Sequence, residues 1–276
     1  MSSPSLSSPS PLLQRLKDAL YGAVKESVPE MAVAVAFSGG VDSTLLAKVC
    51  ADLAKQVTLV TVGFPGSHDV EFSQKIAQLM GMETQQKIVE ICSSGFAADL
   101  AHVRRVVPEC SNTSHIENCV AYLYIARAAR AAGLSTVLSA NGCDELFCGY
   151  NGYRAAFEEG GEPAIMTLME AKIANELVLV QEMARIAGEY GVRVAQPFLS
   201  PGFIEFAKAI PVDQKIKGAD DLVRKHVLRQ AAMLVGVPAE SANKPKKALQ
   251  YGSLIHKNFK LEQRRQREAE NRKKEI

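Results

Sequence analysis

Between Ala34 and Val49 the chain reads AVAFSGGVDSTLLAKV. A strand-like apolar run stops at Ser38-Gly39-Gly40, and a helical pattern starts at once. Gly39 and Gly40 open backbone angles closed to other residues and let an oxygen-rich ligand approach the main chain. A helix beginning here presents unpaired N–H groups and the positive end of its dipole. Ser38 and Ser43 add hydroxyls. Together these groups form an anion cradle suited to phosphate or pyrophosphate. No lysine follows the glycines, so this is not a GxxxxGK[ST] loop, and the full GxGxxG of a dinucleotide fold is missing too. Asp42 sits in the cradle instead. A carboxylate beside phosphates repels them unless a cation lies between, so Asp42 implies Mg2+. Read without a ligand, the same residues are a strand-to-helix turn in which Asp42 and Ser43 serve as caps.

The elements that must position this loop alternate. Apolar spacing predicts a helix over Leu12–Val28, a buried strand over Met31–Phe37, and a helix over Ser43–Lys55. Val57–Val62 is a second β-branched run, Asp69–Met80 is helical, and Glu83–Val89 is a weaker strand. Glu117–Ala132 is an Ala-rich helix, and Ser135–Ser139 a fourth short strand. The alternation predicts an α/β fold, a parallel sheet flanked by helices. Beyond Gly149 the strand signal fades into a mostly helical C-terminal part, broken at Pro163, Pro197, Pro201, Pro211, Pro238 and Pro245. Ligands of such sheets sit beyond the carboxyl ends of the strands. Ser38–Ser43, Gly63–Asp69 and Ser139–Tyr150 are expected there.

Composition bounds the rest. The 276 residues carry a net charge of +2, so the whole molecule is no obvious nucleic-acid binder. Residues 1–11 are Ser/Pro-rich and read as a disordered tail, 12–256 as one domain, and 257–276 as a charged helix with a solvated face. No apolar run reaches membrane-spanning length, and the N-terminus has no signal-peptide pattern, so a cytoplasmic protein is expected. None of the six cysteines forms a CxxC pair. A zinc or iron–sulfur site would need convergence driven by the fold.

SGGVDS resembles the pyrophosphate loop of the PP-loop ATP pyrophosphatases, enzymes that adenylate a substrate and release pyrophosphate. Thr61–Gly81, VLSANGCDELFCGY (Val137–Tyr150), QPFLS (Gln196–Ser200), RKHVLRQ (Arg224–Gln230) and NKPKKALQYGS (Asn243–Ser253) resemble, in order, segments of the asparagine synthetase and β-lactam synthetase group. The resemblance runs from about Ala32 to Ser253. It implies that Ser38, Gly39, Gly40, Asp42 and Ser43 bind pyrophosphate, and that Val62 and Gly63 offer backbone contacts to adenosine. Ser139 and Gly142 then lie beside the α-phosphate, Asp42 and Asp144 hold magnesium, and Lys246 and Lys225 steady the phosphates. It further implies ATP and Mg2+, and a small-molecule carboxylate as substrate. On this resemblance Ser2 stands where a nucleophilic cysteine would head a glutaminase domain, so the expected nitrogen source is ammonia, an amine or a separate glutaminase, unless the chain transfers another group. A homodimer is left open, and no membrane or nucleic-acid role is expected.

Departures concentrate on the acceptor side. Asn141, a catalytic candidate with Lys246 and Lys225, replaces a glutamate that the resemblance links to adenylation and amide formation; an amide can position a substrate but cannot act as a base. Glu117 stands where an arginine belongs, a charge reversal in Ser114-His115-Ile116-Glu117. RVAQPFLS loses a glutamate, an arginine and an aspartate, and Glu182 is the nearest match by spacing for an acid on the preceding helix. Two alternatives follow. One is a sulfur-transferring PP-loop enzyme using Cys110, Cys119, Cys143 or Cys148 near the strand ends, with the basic C-terminal helix touching tRNA. The other is an ATP-binding subunit without turnover.

Overall fold

The computed structural model describes residues 9–245 and 247–274. Helix α1 (Pro11–Ser27) leads into β1 (Ala32–Ala36), α2 (Val41–Asp52), β2 (Gln56–Gly63), α3 (His68–Leu79), β3 (Gln86–Glu90), α4 (Ser93–Val106), α5 (Thr113–Ala131) and β4 (Thr136–Leu138). There follow α6 (Cys143–Leu146), α7 (Gly152–Gly188), β5 (Arg193–Ala195), α8 (Pro201–Lys208), α9 (His226–Val235), α10 (Ala239–Ala242), α11 (Leu249–Gly252) and α12 (Ile255–Lys274). Of the expected tail, residues 1–8 lie outside the described residues. Ser10 already belongs to the fold, because its hydroxyl caps α1 at Leu13 N.

The five strands form one parallel sheet in the order β3-β2-β1-β4-β5. Side chains alternate across a strand, and both faces here are covered. Val33, Val35, Val57 and Leu59 enter a core with Leu16 and Leu20 of α1 and Leu45 and Leu46 of α2. Ala34, Val60, Val62 and Val137 point the other way, into a core with Val120 and Leu123 of α5 and Met183 of α7. The chain runs outward from β1 through β2 to β3, then returns through β4 to β5. The direction therefore reverses between β1 and β4, and the crevice at their carboxyl ends is where such sheets take ligands.

Two elements differ from expectation. Strand β5 was not legible in the sequence, since its three residues begin with an arginine that is exposed. Helix α4 was also unassigned, although Phe96, Leu100 and Val103 form its buried face at helical spacing. The Pro163 break is real but short: α7 bends at Gly161, whose φ of 60° and ψ of −143° are non-helical. Helix α12 is anchored by the buried Ile255 and Phe259.

Candidate active site

At the end of β1, Phe37 N donates to Val60 O and Thr61 Oγ1 donates to Phe37 O, tying the loop to β2. Gly39 then turns with a φ of +73°, and a Cβ there would meet Ser73 Cα at 3.1 Å. Backbone angle and space both demand glycine. Gly40 starts α2 in extended conformation, with no side-chain cap on the helix. Ser38 N donates to Ser43 Oγ at 3.3 Å, and Ser43 Oγ donates to Gly40 O at 3.2 Å. Ser241 Oγ of α10 donates to Gly39 O, holding the loop from behind. The uncapped amides and positive dipole of α2 thus face the crevice.

Lys225 comes from a distant loop in left-handed conformation, φ 54°. It is buried, and its Nζ lies 2.6 Å from Asp42 Oδ2 and 2.6 Å from Asp144 Oδ1. Burial pulls its ammonium down, but Asp144 and Asp42 outweigh burial and hold it above its ordinary value. Two carboxylates share one ammonium, which leaves the trio negative. Asp42 Oδ1 is buried with no hydrogen-bond partner among the described residues. A hard divalent cation taken by carboxylate oxygens fits this donor set. Gly149 must be glycine for the trio to form, since a Cβ there would stand 2.4 Å from Lys225 Cε and 2.8 Å from Asp144 Cα.

The crevice opens into a cavity of about 400 Å³. Ser38, Gly40, Asp42 and Ser43 line it from β1 and α2, and Val62 from β2. Ser139, Asn141 and Asp144 line it from beyond β4, with Lys225 opposite. Three further expected residues are not among those that line the cavity. Gly39 forms the turn, Gly63 O accepts from Ile91 N, and Gly142 N donates to Glu145 Oε2. Gly142 has φ +100°, and a Cβ there would lie 2.7 Å from Phe198 O. The segment Gly63–Asp69 does not reach the cavity, because it turns back at once into α3. Lys246 lies outside the described residues, while its neighbours Pro245 and Lys247 line the cavity.

The acceptor side needs two corrections. Glu182 is not the acid that meets the strand-end loop: Glu176 is, with Asn141 Nδ2 donating to Glu176 Oε1. Lys172, Asn175, Glu176 and Leu179 form one stripe of α7 along the cavity, and Glu182 lies beyond it. Glu117, the apparent charge reversal, faces away. It is buried and accepts from His256 Nδ1 at 2.8 Å, tying α5 to α12. The cavity face of α5 carries Ser114, His115, Asn118, Tyr122 and Ile125 instead. Glu176, Lys172 and Asn118 were missed in the sequence.

The cysteines do not supply a reactive thiolate there. None lines the cavity among the described residues. Burial pushes the Cys143 and Cys119 thiols up, Cys148 up to about 12, and Cys110, beside Glu182, up to about 11. The exposed Cys92 is lowered by a hydrogen bond from Ser94, but it starts α4 away from the crevice.

A parallel sheet with a glycine loop and paired carboxylates at its reversal point defines the open α/β class of fold, which takes ligands at the strand ends. The asparagine synthase family model matches residues 15–178 and 158–275, and the chain belongs to that family. A protein of Methanocaldococcus jannaschii named for glutamine-hydrolysing asparagine synthetase is 28% identical over 275 residues, covering 87% of this chain and 50% of that one. Glutamine-hydrolysing asparagine synthetase B of Escherichia coli is 27% identical over 239 residues, covering 79% and 40%. The chain thus spans about half the length of the curated relatives it matches, or less. Among solved structures, the U34-tRNA thiolase NcsA of Methanococcus maripaludis is similar at a TM-score of 0.45 and 13% identity, covering 88% of this chain and 71% of that one.

Proposed function

We propose that this chain is an ATP-dependent, adenylate-forming ligase. A carboxylate oxygen of the substrate attacks the α-phosphorus, the bond to the bridging oxygen breaks, and pyrophosphate leaves. A nitrogen nucleophile, ammonia or an amine, then attacks the acyl carbon and displaces AMP. The observation that carries this reading is the meeting of Asp42, Asp144 and Lys225 in front of the uncapped start of α2. Charge accumulates on the leaving oxygens of such a reaction, so aimed N–H groups and fixed positive charge do more than a nucleophilic side chain. The amides from Gly40 to Ser43 offer the first, and Lys225, kept protonated by its two carboxylates, offers the second. Asp42 and Asp144 would hold Mg2+, which when bound neutralises pyrophosphate charge.

On the acceptor side an attacking amine must shed a proton. Asn141 has no basic lone pair to take it. Glu176 is the carboxylate at that spot, and we assign it the proton, with Asn141 fixing its orientation. Lys172, on the same stripe of α7, is suited to a second anionic group of the substrate. Free ammonia, an amine, or nitrogen delivered by another chain all meet these requirements, and asparagine biosynthesis is one pathway of this chemistry.

The test is Mg2+-dependent formation of AMP and pyrophosphate across a panel of carboxylates with ammonia or amines. Asp42→Asn keeps the shape of the loop and removes the charge. It is expected to lower AMP formation by about a hundredfold or more, the scale of losing an electrostatic contact to the transition state. Wild-type rates in that variant would reject the site. Nucleotide binding without AMP on any substrate pair would favour an ATP-binding subunit without turnover.

A further inference from the structure

Cys110 and His115, five positions apart, meet Glu182 from a distant part of the chain. One ligand atom from each, the Cys110 thiol sulfur, a His115 ring nitrogen and a Glu182 carboxylate oxygen, lies within 4.8 Å of the other two. They come from the loop before α5, the first turn of α5 and the second half of α7. Among the described residues no other group of three such side chains converges this closely. His115 is 4% exposed and Glu182 7%. His115 Nδ1 contacts Glu182 Oε2 at 2.7 Å, while His115 Nε2 is buried and has no hydrogen-bond partner among the described residues. The two ring nitrogens point in divergent directions, so an ion shared with Glu182 takes Nδ1 in place of that contact, and Nε2 is left for a water.

The cluster is separate from the Asp42–Asp144 site. Along α5, His115 stands seven residues from Tyr122, whose hydroxyl bonds to Ser139. Along α7, Glu182 stands six residues from Glu176. At about 1.5 Å per residue, both place the cluster about 10 Å from the strand-end loop. Of the three, only His115 lines the active-site cavity, whereas Cys110 lines a smaller hollow with Arg104 and Phe259. His115 thus belongs both to the cluster and to the wall of the cavity.

We infer that Cys110, His115 and Glu182 form a binding site for a borderline transition-metal ion, with Zn2+ as the expected occupant. A thiolate, an imidazole and a carboxylate are three of zinc's ordinary ligands, whereas Mg2+ prefers oxygen alone. On binding, the Cys110 thiol gives up its proton to solvent and the sulfur donates to the metal. The ion joins the loop between α4 and α5 to α7 and fixes the His115 ring at the cavity's edge. This inference does not rest on the ligase reading, because its readout is metal content.

The full chain is dialysed against Zn2+, and metal per chain is measured after removal of free ion. In parallel, Co2+ is titrated in and followed by absorption. One Zn2+ per chain is expected, with a thiolate-to-cobalt charge-transfer band in the near ultraviolet. Cys110→Ser is expected to abolish that band, and Glu182→Gln to weaken binding at least about tenfold. Cys92→Ser, at the exposed thiol, is expected to match wild type. Circular dichroism checks that each variant is folded. Less than a tenth of an equivalent of zinc on the wild-type chain would overturn the site without touching the ligase reading. So would a thiolate band that survives Cys110→Ser, or one that disappears with Cys92→Ser.

Discussion

Replacing Asp221 tests whether one carboxylate builds the loop that delivers Lys225. Its Oδ1 accepts from Val223 N at 2.9 Å and Arg224 N at 3.0 Å. Its Oδ2 accepts from Lys217 N at 2.8 Å and contacts His226 Nε2 at 2.7 Å. These bonds wrap the chain around the carboxylate just where Arg224 and Lys225 adopt left-handed angles, φ 50° and 54°. Such angles cost a non-glycine residue energy and persist only when the surroundings enforce them. Burial pushes the Asp221 carboxyl up, but the Arg224, Lys217 and Val223 amides with His226 prevail and hold it at about 2, against an ordinary 3.8. At about 1.36 kcal/mol per pH unit, that difference amounts to about 2 kcal/mol of stability near neutral pH. A folded-state pKa below the unfolded one gives stability that is present above about pH 4 and lost as pH falls towards 2. Urea unfolding of wild type and Asp221→Asn is therefore expected to differ by about 2 kcal/mol at pH 7, and by about 1 kcal/mol less at pH 3. AMP formation should fall as well, because Lys225 loses its support. A difference below about 0.5 kcal/mol at pH 7, or one that does not change with pH, would refute the reasoning.

Other outcomes follow from single contacts. Gly149→Ala places a Cβ against Asp144 and Lys225, so it is expected to reduce AMP formation by about tenfold or more and to lower the melting temperature; unchanged values in both would contradict the packing of the trio. Glu176→Gln removes the assigned proton acceptor while keeping its shape, and is expected to lower kcat for amide formation by about a hundredfold. The same variant should leave the KM for ATP near wild type, and a loss confined to that KM would argue for a nucleotide role instead. The double variant Cys143→Ser, Cys148→Ser is expected to retain AMP formation under reducing conditions, and abolished turnover in a folded protein would revive thiol chemistry.

What the sequence shows clearly is local. The run from Ala34 to Val49 carries strand, turn and helix in sixteen consecutive residues, each enforced by its own pattern. The same holds for Ser139–Asp144, where a strand end, a positive-φ glycine and a carboxylate follow one another. What the sequence hides is which level of a long helix faces which loop. Glu176 and Glu182 both lie on the buried side of α7, and only the packing of α7 against α5 shows that Glu176 reaches Asn141. Glu117 misleads for a similar reason, since helix α5 is buried nearly all round and an acid on it can face either the cavity or α12. Lys225 was legible as a basic position but not as the ammonium between Asp42 and Asp144, because 183 residues separate it from Asp42. The Cys110–His115–Glu182 cluster was invisible for the same reason, with 67 residues between the histidine and the glutamate.

Product analysis from ATP is the most direct test of the central claim. The chain is incubated with ATP labelled in the α-phosphate, Mg2+, and the carboxylate and nitrogen panel, and the labelled nucleotides are separated. The account predicts labelled AMP with one pyrophosphate per turnover, dependent on Mg2+ and lost in Asp42→Asn. Labelled ADP with inorganic phosphate, or AMP formed equally well by Asp42→Asn, would contradict it.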